Sequence, residues 1–191
     1  QLALLENDLL LRFGTSFAVC VGSGIGALRL ALLGLGVTAK DEVLVPAYSC
    51  VALANAVLAV GAKPVPVDVS KHNFNIDLLE VEKQMTSKTK AVIAVNTFGV
   101  PAAIDDLKQI GLKVIEDCSH GFALGSGKCI GMLKGDVAVF SFYASKLIAG
   151  GEGGAVLTNE QCVADFIKGW RDYTDKQPHG YRLNDKMTDI E

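Results

Sequence analysis

The chain has 191 residues, half of them hydrophobic, and its formal net charge is −3 at neutral pH. A chain of this length can bury a substantial core in one domain. The slightly acidic charge, with no cluster of basic residues, argues against nucleic acid as a partner. Glycine, proline and charged residues interrupt the apolar runs well before transmembrane length, so we expect no membrane partner.

The five cysteines are odd in number and scattered, and no two of them form a C-x-x-C pair. This arrangement supports neither a zinc site nor a redox motif. Reduced thiols are typical of proteins in the cytosol. The first residues also lack the basic and apolar regions of a signal peptide, so we expect a cytoplasmic protein.

Helical and strand-like patterns alternate along the chain. In chain order, the helical patterns cover residues 2–13, 25–35, 51–60, 77–85, 104–110 and 159–172, and Thr158 or Asn159 is the expected N-cap of the last. The short apolar runs that predict strands are 17–20, 42–46, 63–69, 90–96, 113–117, 137–142 and 155–158. This alternation, with strands apolar on both faces, predicts a three-layer αβα domain around a mostly parallel mixed sheet.

The turn after the first predicted strand has the sequence GSGIGA at residues 22–27. Small residues there expose backbone N–H groups at a helix N-terminus, which is a typical phosphate site. The turn also fits the loose G-x-G-x-x-G/A dinucleotide pattern. That alternative requires an acid at the end of the next strand, whereas Asp41 and Glu42 precede it. A tight turn without a ligand is the third possibility.

Two further features follow later strands, where open α/β sheets bind their ligands. Asp117 ends the strand 113–117, and such a carboxylate can keep a pyridinium nitrogen protonated or simply be an exposed strand-end acid. Lys146 lies five residues after Ser141 and is followed by GGEGG at 150–154. A lysine whose pKa is lowered by burial or a nearby cation forms Schiff bases. Together with the phosphate turn, these residues predict a pyridoxal 5′-phosphate site.

Motifs along essentially the whole chain resemble those of one family, the DegT/DnrJ/EryC1/StrS sugar aminotransferases, which have the aspartate-aminotransferase type of fold. The motifs are GIGAL at 24–28, DEVLVPAY at 41–48, ANAV at 54–57, GAKPV at 61–65, VD at 67–68, NID at 75–77, FG at 98–99, IED at 115–117, GD at 135–136, SF at 141–142 with Lys146, GEGG at 151–154 and MTDI at 187–190. The resemblance implies that residues 1–191 are most of the large, cofactor-binding domain. The N-terminal arm and the C-terminal small domain of the family would be missing.

The resemblance also assigns roles to the residues of the cofactor site. Lys146 would form the Schiff base with pyridoxal phosphate and then act as the acid/base, and Asp117 would pair with the pyridine nitrogen. His120 stands where the family has Gln or His beside the cofactor ring. Asn184 aligns with an asparagine that reaches the phosphate of the neighbouring subunit. The implied assembly is therefore a two-fold homodimer with a shared active site.

The phosphate would be held by Ser141 and by the backbone of the helix start, at Gly24, Ile25 and Gly26. Departures from the family pattern affect this site. Ile25 replaces a usual threonine, and Cys50 replaces an aromatic residue that stacks on the cofactor ring. Asn96 replaces a usual histidine. Weaker cofactor binding or a different tilt of the ring is the expected consequence of the missing stack at Cys50.

The resemblance implies amino transfer, with glutamate as the expected donor, to a nucleotide-linked keto-sugar in surface-polysaccharide or secondary-metabolite biosynthesis. A related sugar dehydratase is one alternative, but that branch has His in place of Lys146. A catalytically impaired relative with a regulatory or binding role is another, suggested by the departures at Ile25, Cys50 and Asn96. A dinucleotide-dependent oxidoreductase is the third.

Overall fold

One seven-stranded sheet organises the part of the chain that a computed structural model describes, residues 1–121 and 134–172. Its strands are β1 (Phe17–Val21), β2 (Glu42–Pro46), β3 (Lys63–Val67), β4 (Thr89–Val95), β5 (Lys113–Asp117), β6 (Val137–Ser141) and β7 (Gly154–Thr158). The helices between them are α1 (Leu2–Phe13), α2 (Gly24–Gly34), α3 (Ala52–Ala59), α4 (Leu78–Gln84), α5 (Ile104–Gln109) and α6 (Gln161–Arg171). A short 3₁₀ turn, Thr97–Gly99, follows β4.

The strand order is β1-β7-β6-β5-β4-β2-β3. Strand β7 runs antiparallel to both of its neighbours, and the other neighbouring pairs are parallel. The predicted mostly parallel mixed sheet is therefore confirmed. Because all strands except β7 point the same way, their carboxyl ends meet at one edge, and β7 begins at that same edge.

Helices cover both faces of the sheet, which confirms the predicted three-layer αβα arrangement. On one face, α2, α3 and α6 pack over a core that includes Val137 and Val139 of β6. On the other face, α1 packs over Ala138 and Phe140 of the same strand, and α4 and α5 cover β2, β4 and β5. The alternation of side chains along a strand explains why these runs are apolar on both sides.

The ends of two helices differ from the prediction. Asp77 is the N-cap of α4, because its Oδ1 accepts hydrogen bonds from the amides of Leu79 and Glu80. Helix α6 begins at Gln161 after Glu160, which makes no side-chain cap. The predicted caps bind distant partners: Thr158 Oγ1 donates to Asp136 O at 2.9 Å, and Asn159 Oδ1 accepts from Ser16 N at 2.8 Å. Tertiary contacts thus take the polar groups that the local pattern assigned to the helix.

Across residues 1–121 and 134–172, no helix has the length and apolar character needed to cross a membrane.

Candidate functional site

A cavity of about 410 Å³ lies at the edge where the strands' carboxyl ends meet. Its volume is within the range of small-molecule pockets. It brings together every predicted site residue in the described part of the chain except Gly26, namely Gly24, Ile25, Cys50, Asp117, His120, Ser141 and Lys146. Asn184 lies outside the described residues. The sheet produces this convergence, because the residues lie at or just after the carboxyl ends of four strands, β1, β2, β5 and β6, which all end at the same edge.

The start of α2 and the end of β6 form one wall of the cavity. A Cβ on Gly24 would lie 2.6 Å from Ser141 Cβ, so only glycine lets the helix start approach this hydroxyl so closely. The first amides of a helix have no intrahelical partners and carry partial positive charge. One of them, that of Gly26, donates to the Oγ of the N-cap Ser23 at 3.0 Å. This wall is suited to an anion such as phosphate.

Asp117 ends β5 and is buried at the cavity wall. Its Oδ1 accepts a hydrogen bond from Ser119 N at 2.8 Å, which fixes the carboxylate. The preceding Glu116 points to the other face of the sheet, where its Oε1 accepts from the amides of Lys134 and Gly135. Burial raises the pKa of Glu116 despite these two bonds. Of the two adjacent acids, only Asp117 is available to a ligand.

Lys146 belongs to the loop between β6 and β7. The loop is closed by Gly150 N, which donates to Phe142 O at 2.7 Å, and by a bridge between Tyr143 and Gly151. Lys146 N donates to Tyr143 O at 2.9 Å, and the side chain is half-buried at the cavity wall. The side chain of Lys146 can therefore be reached from the cavity.

Cys50 and His120 complete the wall. Cys50 is exposed before α3, and its thiol supplies no aromatic surface. The Nδ1 of His120 is buried without a hydrogen-bond partner among the described residues. Asn96, at the position of the usual histidine, does not line the cavity; its Oδ1 accepts from Ala102 N at 2.9 Å. The neighbouring Cys118 is a buried packing residue, and burial raises the pKa of its thiol.

Some polar residues of the cavity were not among the predicted site residues. They are Ser23, Ser119, Tyr143, Ser145 and Glu152. Glu152 lies in the GEGG segment and Ser23 in the glycine turn, so the motifs around them could have indicated a place in the site. No sequence motif indicated Ser119, because the turn that follows β5 is what brings this residue to the cavity.

The residues present fit pyridoxal phosphate. The Gly24–Ser141 wall provides an anion site, Asp117 a fixed carboxylate, Lys146 an amine, and His120 an unsatisfied polar atom. These are complementary to the phosphate, the ring nitrogen and the aldehyde of this cofactor. The fold and the cavity thus define the class: an α/β protein with a small-ligand site at the carboxyl edge of its sheet.

Comparison with known proteins gives the family. The model of the DegT/DnrJ/EryC1/StrS aminotransferase family matches residues 1–190. The chain is 41% identical over 174 residues to dTDP-3-amino-3,4,6-trideoxy-alpha-D-glucose transaminase of Streptomyces venezuelae, covering 87% of this chain and 45% of that protein. The chain belongs to the DegT/DnrJ/EryC1/StrS aminotransferase family, as its motifs predicted.

Solved structures agree with this assignment. S. venezuelae DesV, in complex with a ketimine intermediate, matches with a TM-score of 0.84 at 37% identity, over 95% of this chain and 50% of DesV. NtdA from Bacillus subtilis, with bound cofactor PMP, matches with a TM-score of 0.83 at 29% identity, over 94% of this chain and 43% of NtdA. The chain spans about half the length of the curated relatives it matches.

Proposed function

We propose that this protein is a pyridoxal-phosphate-dependent aminotransferase that transfers an amino group, with glutamate as donor, to a nucleotide-linked keto-sugar. The observation that carries the proposal is the convergence of Lys146, Asp117 and Ser141 on one cavity at the start of α2. Family membership supports amino transfer, and a dTDP-sugar transaminase among the relatives supports the class of acceptor.

Each residue has a role that follows from its chemistry and place. Ser141 and the first turn of α2 would hold the phosphate, while the Asp117 carboxylate would face the ring nitrogen and keep it protonated. When bound, the cofactor supplies an aldehyde for Schiff-base formation and a ring that accepts electrons. Lys146 Nζ would hold the cofactor before the donor arrives. It would then act as the base that removes the proton from the donor's Cα.

The proposal includes an assembly and a domain assignment. Residues 1–191 would form the cofactor-binding large domain, and two copies would share their active sites through Asn184. The rings of Tyr48 and Phe98 are exposed, and Phe98 stacks on His120 of the cavity wall, which supports contact of this surface with further protein. A cytoplasmic location is part of the same proposal.

Light scattering after size exclusion tests the dimer and should give twice the subunit mass. A monomeric mass with bound cofactor would contradict the shared site.

Borohydride trapping tests the cofactor. The protein would be incubated with saturating pyridoxal phosphate, reduced and mapped by peptide mass. We expect a pyridoxyl mass on the peptide that carries Lys146, and none in Lys146→Ala. Lys63→Ala is the matched control, because Lys63 starts β3 at the opposite edge of the sheet and pairs with Glu42 at 2.9 Å. Absence of an adduct on Lys146 in the unmodified sequence would reject the proposed function.

Donor and acceptor are tested separately. Conversion of glutamate to 2-oxoglutarate should depend on an added nucleotide keto-sugar, and the sugar product should gain one amino group. Turnover with simple keto acids but not with nucleotide keto-sugars would support aminotransferase activity and reject the nucleotide-sugar acceptor.

A further inference from the structure

The loop after β4 places a phenylalanine ring beside the cavity in a strained conformation. Phe98 has φ of 52°, in the left-handed region that bulky residues rarely adopt. Its side chain is 66% exposed, so burial of the ring does not explain the strain. Another interaction must hold this residue in place.

Two buried asparagines provide that interaction. Asn75 Oδ1 accepts from Thr97 N at 3.0 Å, and its Nδ2 donates to the carbonyls of Val100 and Pro101 at 3.1 and 3.0 Å. Asn96 Oδ1 accepts from Ala102 N at 2.9 Å. The two side chains are 3% and 2% exposed. Buried amides in a satisfied network rigidify the surrounding chain, so these two bind the loop at both ends.

The fixed ring contacts His120. The planes of Phe98 and His120 are parallel within 7°, and their centroids are 6.3 Å apart, which is an offset stack. Phe74 packs edge-to-face with Phe98, with ring centroids 6.0 Å apart. The turn after β5 also lies close to the Phe98 loop, because a Cβ on Gly121 would lie 3.3 Å from Asn96 Cβ and 3.7 Å from Gly99 Cα. Phe98 therefore connects the asparagine network to the histidine that lines the cavity.

We propose that Asn75, Asn96 and Phe98 are positioning residues that hold the His120 imidazole at the cavity wall in the orientation needed to bind the cofactor. This inference rests on the proposed function for the identity of the ligand. The stacking contact itself is a property of the protein without ligand. Asn96 does not face the cavity. Its proposed role is to anchor the loop that orients His120.

The test combines variants that break the connection at different points. Phe98→Leu removes the stack, Phe98→Tyr keeps it, and Asn75→Ala releases the loop while leaving the ring. We expect Phe98→Leu and Asn75→Ala each to raise the pyridoxal phosphate Kd about three- to tenfold, the range given by one lost ring contact. Phe98→Tyr and the control Asn55→Ala, at an exposed position on α3, should leave the Kd unchanged.

The double variant distinguishes positioning from independent damage. If both residues act through His120, Phe98→Leu with Asn75→Ala should weaken binding no more than one change alone. Unchanged affinity in either single variant, or losses that add in the double variant, would overturn the proposal.

The cofactor-free protein gives a second readout, in the NMR signals of the His120 imidazole. The chain has three histidines, so the signals can be assigned with His120→Gln. Asn75→Ala should shift them, and unchanged signals would overturn the positioning role. Failure of the unmodified protein to bind pyridoxal phosphate would reject the proposed function. The NMR signals of the cofactor-free protein would still show whether the network positions His120.

Discussion

Glu116 and Asp117 are adjacent acids with opposite environments, because consecutive residues of a strand face opposite sides of the sheet. Asp117 lines the cavity, whereas Glu116 is 1% exposed and holds the turn at Gly135 through its Oε1. The Oε2 of Glu116 has no partner within the described part of the chain. A buried carboxylate of this kind opposes folding once it is ionised.

Glu116→Gln should therefore change how stability depends on pH. Burial raises the pKa of Glu116 above its ordinary value of 4.5, so the native state holds this proton more tightly than the unfolded chain does. The contribution of Glu116 to stability is then lost as the pH rises from 4.5 through the higher native pKa. Urea unfolding of both proteins from about pH 4 to about pH 8 measures the effect. The stability of Glu116→Gln relative to Glu116 should increase with pH, and a constant difference would contradict the raised pKa.

Cys50 lies at the cavity wall where the family pattern has a stacking aromatic residue. Cys50→Phe should lower the pyridoxal phosphate Kd about three- to tenfold, because a ring stacked on the cofactor adds the free energy of an aromatic pair. Cys50→Ser, which adds no ring, should leave the Kd nearly unchanged. Absorbance titration of the three proteins measures this, and equal or weaker binding by Cys50→Phe would show that the ring does not reach the cofactor.

At the scale of elements, the contact between α2 and β6 determines the shape of the candidate phosphate site. The helix start also meets β7, because a Cβ on Gly154 would lie 2.4 Å from Ser23 O. Two glycines thus let a helix and two strands approach at the same point. This close packing brings the Ser141 hydroxyl to the first turn of α2.

Gly24→Ala should separate these elements. Its Cβ would overlap Ser141 Cβ and Oγ, at 2.6 and 2.8 Å, and overpacking of this kind costs about 1–3 kcal/mol. We expect lower stability in urea together with weaker phosphate or cofactor binding. Gly22→Ala is the matched control, because nothing lies within 4 Å of the position that its added methyl group would take, and its φ is not left-handed. Equal effects of the two changes would refute the specific contact.

At the scale of the whole molecule, one ion pair joins the first and the last described helices. Arg171 Nη1 of α6 donates to Glu6 Oε1 of α1 at 2.5 Å, and Cys20 N of β1 donates to the same oxygen at 2.9 Å. The two charged side chains are only 21% and 16% exposed. Segments separated by most of the chain therefore meet at the edge strand β1.

Arg171→Met should lower the free energy of unfolding by about 1–3 kcal/mol, because it leaves the Glu6 carboxylate partly buried without its cation. Lys83→Met is the control, since its pair with Glu80 on α4 is much more exposed to water and should contribute little to stability. Denaturant unfolding of both variants checks the difference. A cost for Arg171→Met no larger than that of Lys83→Met would contradict a structural role for the pair.

Local patterns in the sequence determined the strands, the helices on both sides of the sheet, and most of the site. The strands and the glycine turn before α2 depend on residues that are neighbours in the chain. They can therefore be predicted from the sequence alone. Because parallel strands end at one edge, the same patterns predicted that Asp117, Ser141 and Lys146 would meet there.

Only the tertiary structure decided features that depend on residues far apart in the chain. Strand β7 lies antiparallel between β1 and β6, and this placement depends on pairing with strands far away in the chain. The apolar run of β7 predicts a strand, but it specifies neither the direction of the strand nor its neighbours. Thr158 and Asn159 lost their expected capping role because distant groups bind them. The stack of Phe98 on His120, and the asparagines that hold it, arise where loops from different strands touch. No periodicity records such contacts, because their free energy comes from the packing of the folded chain.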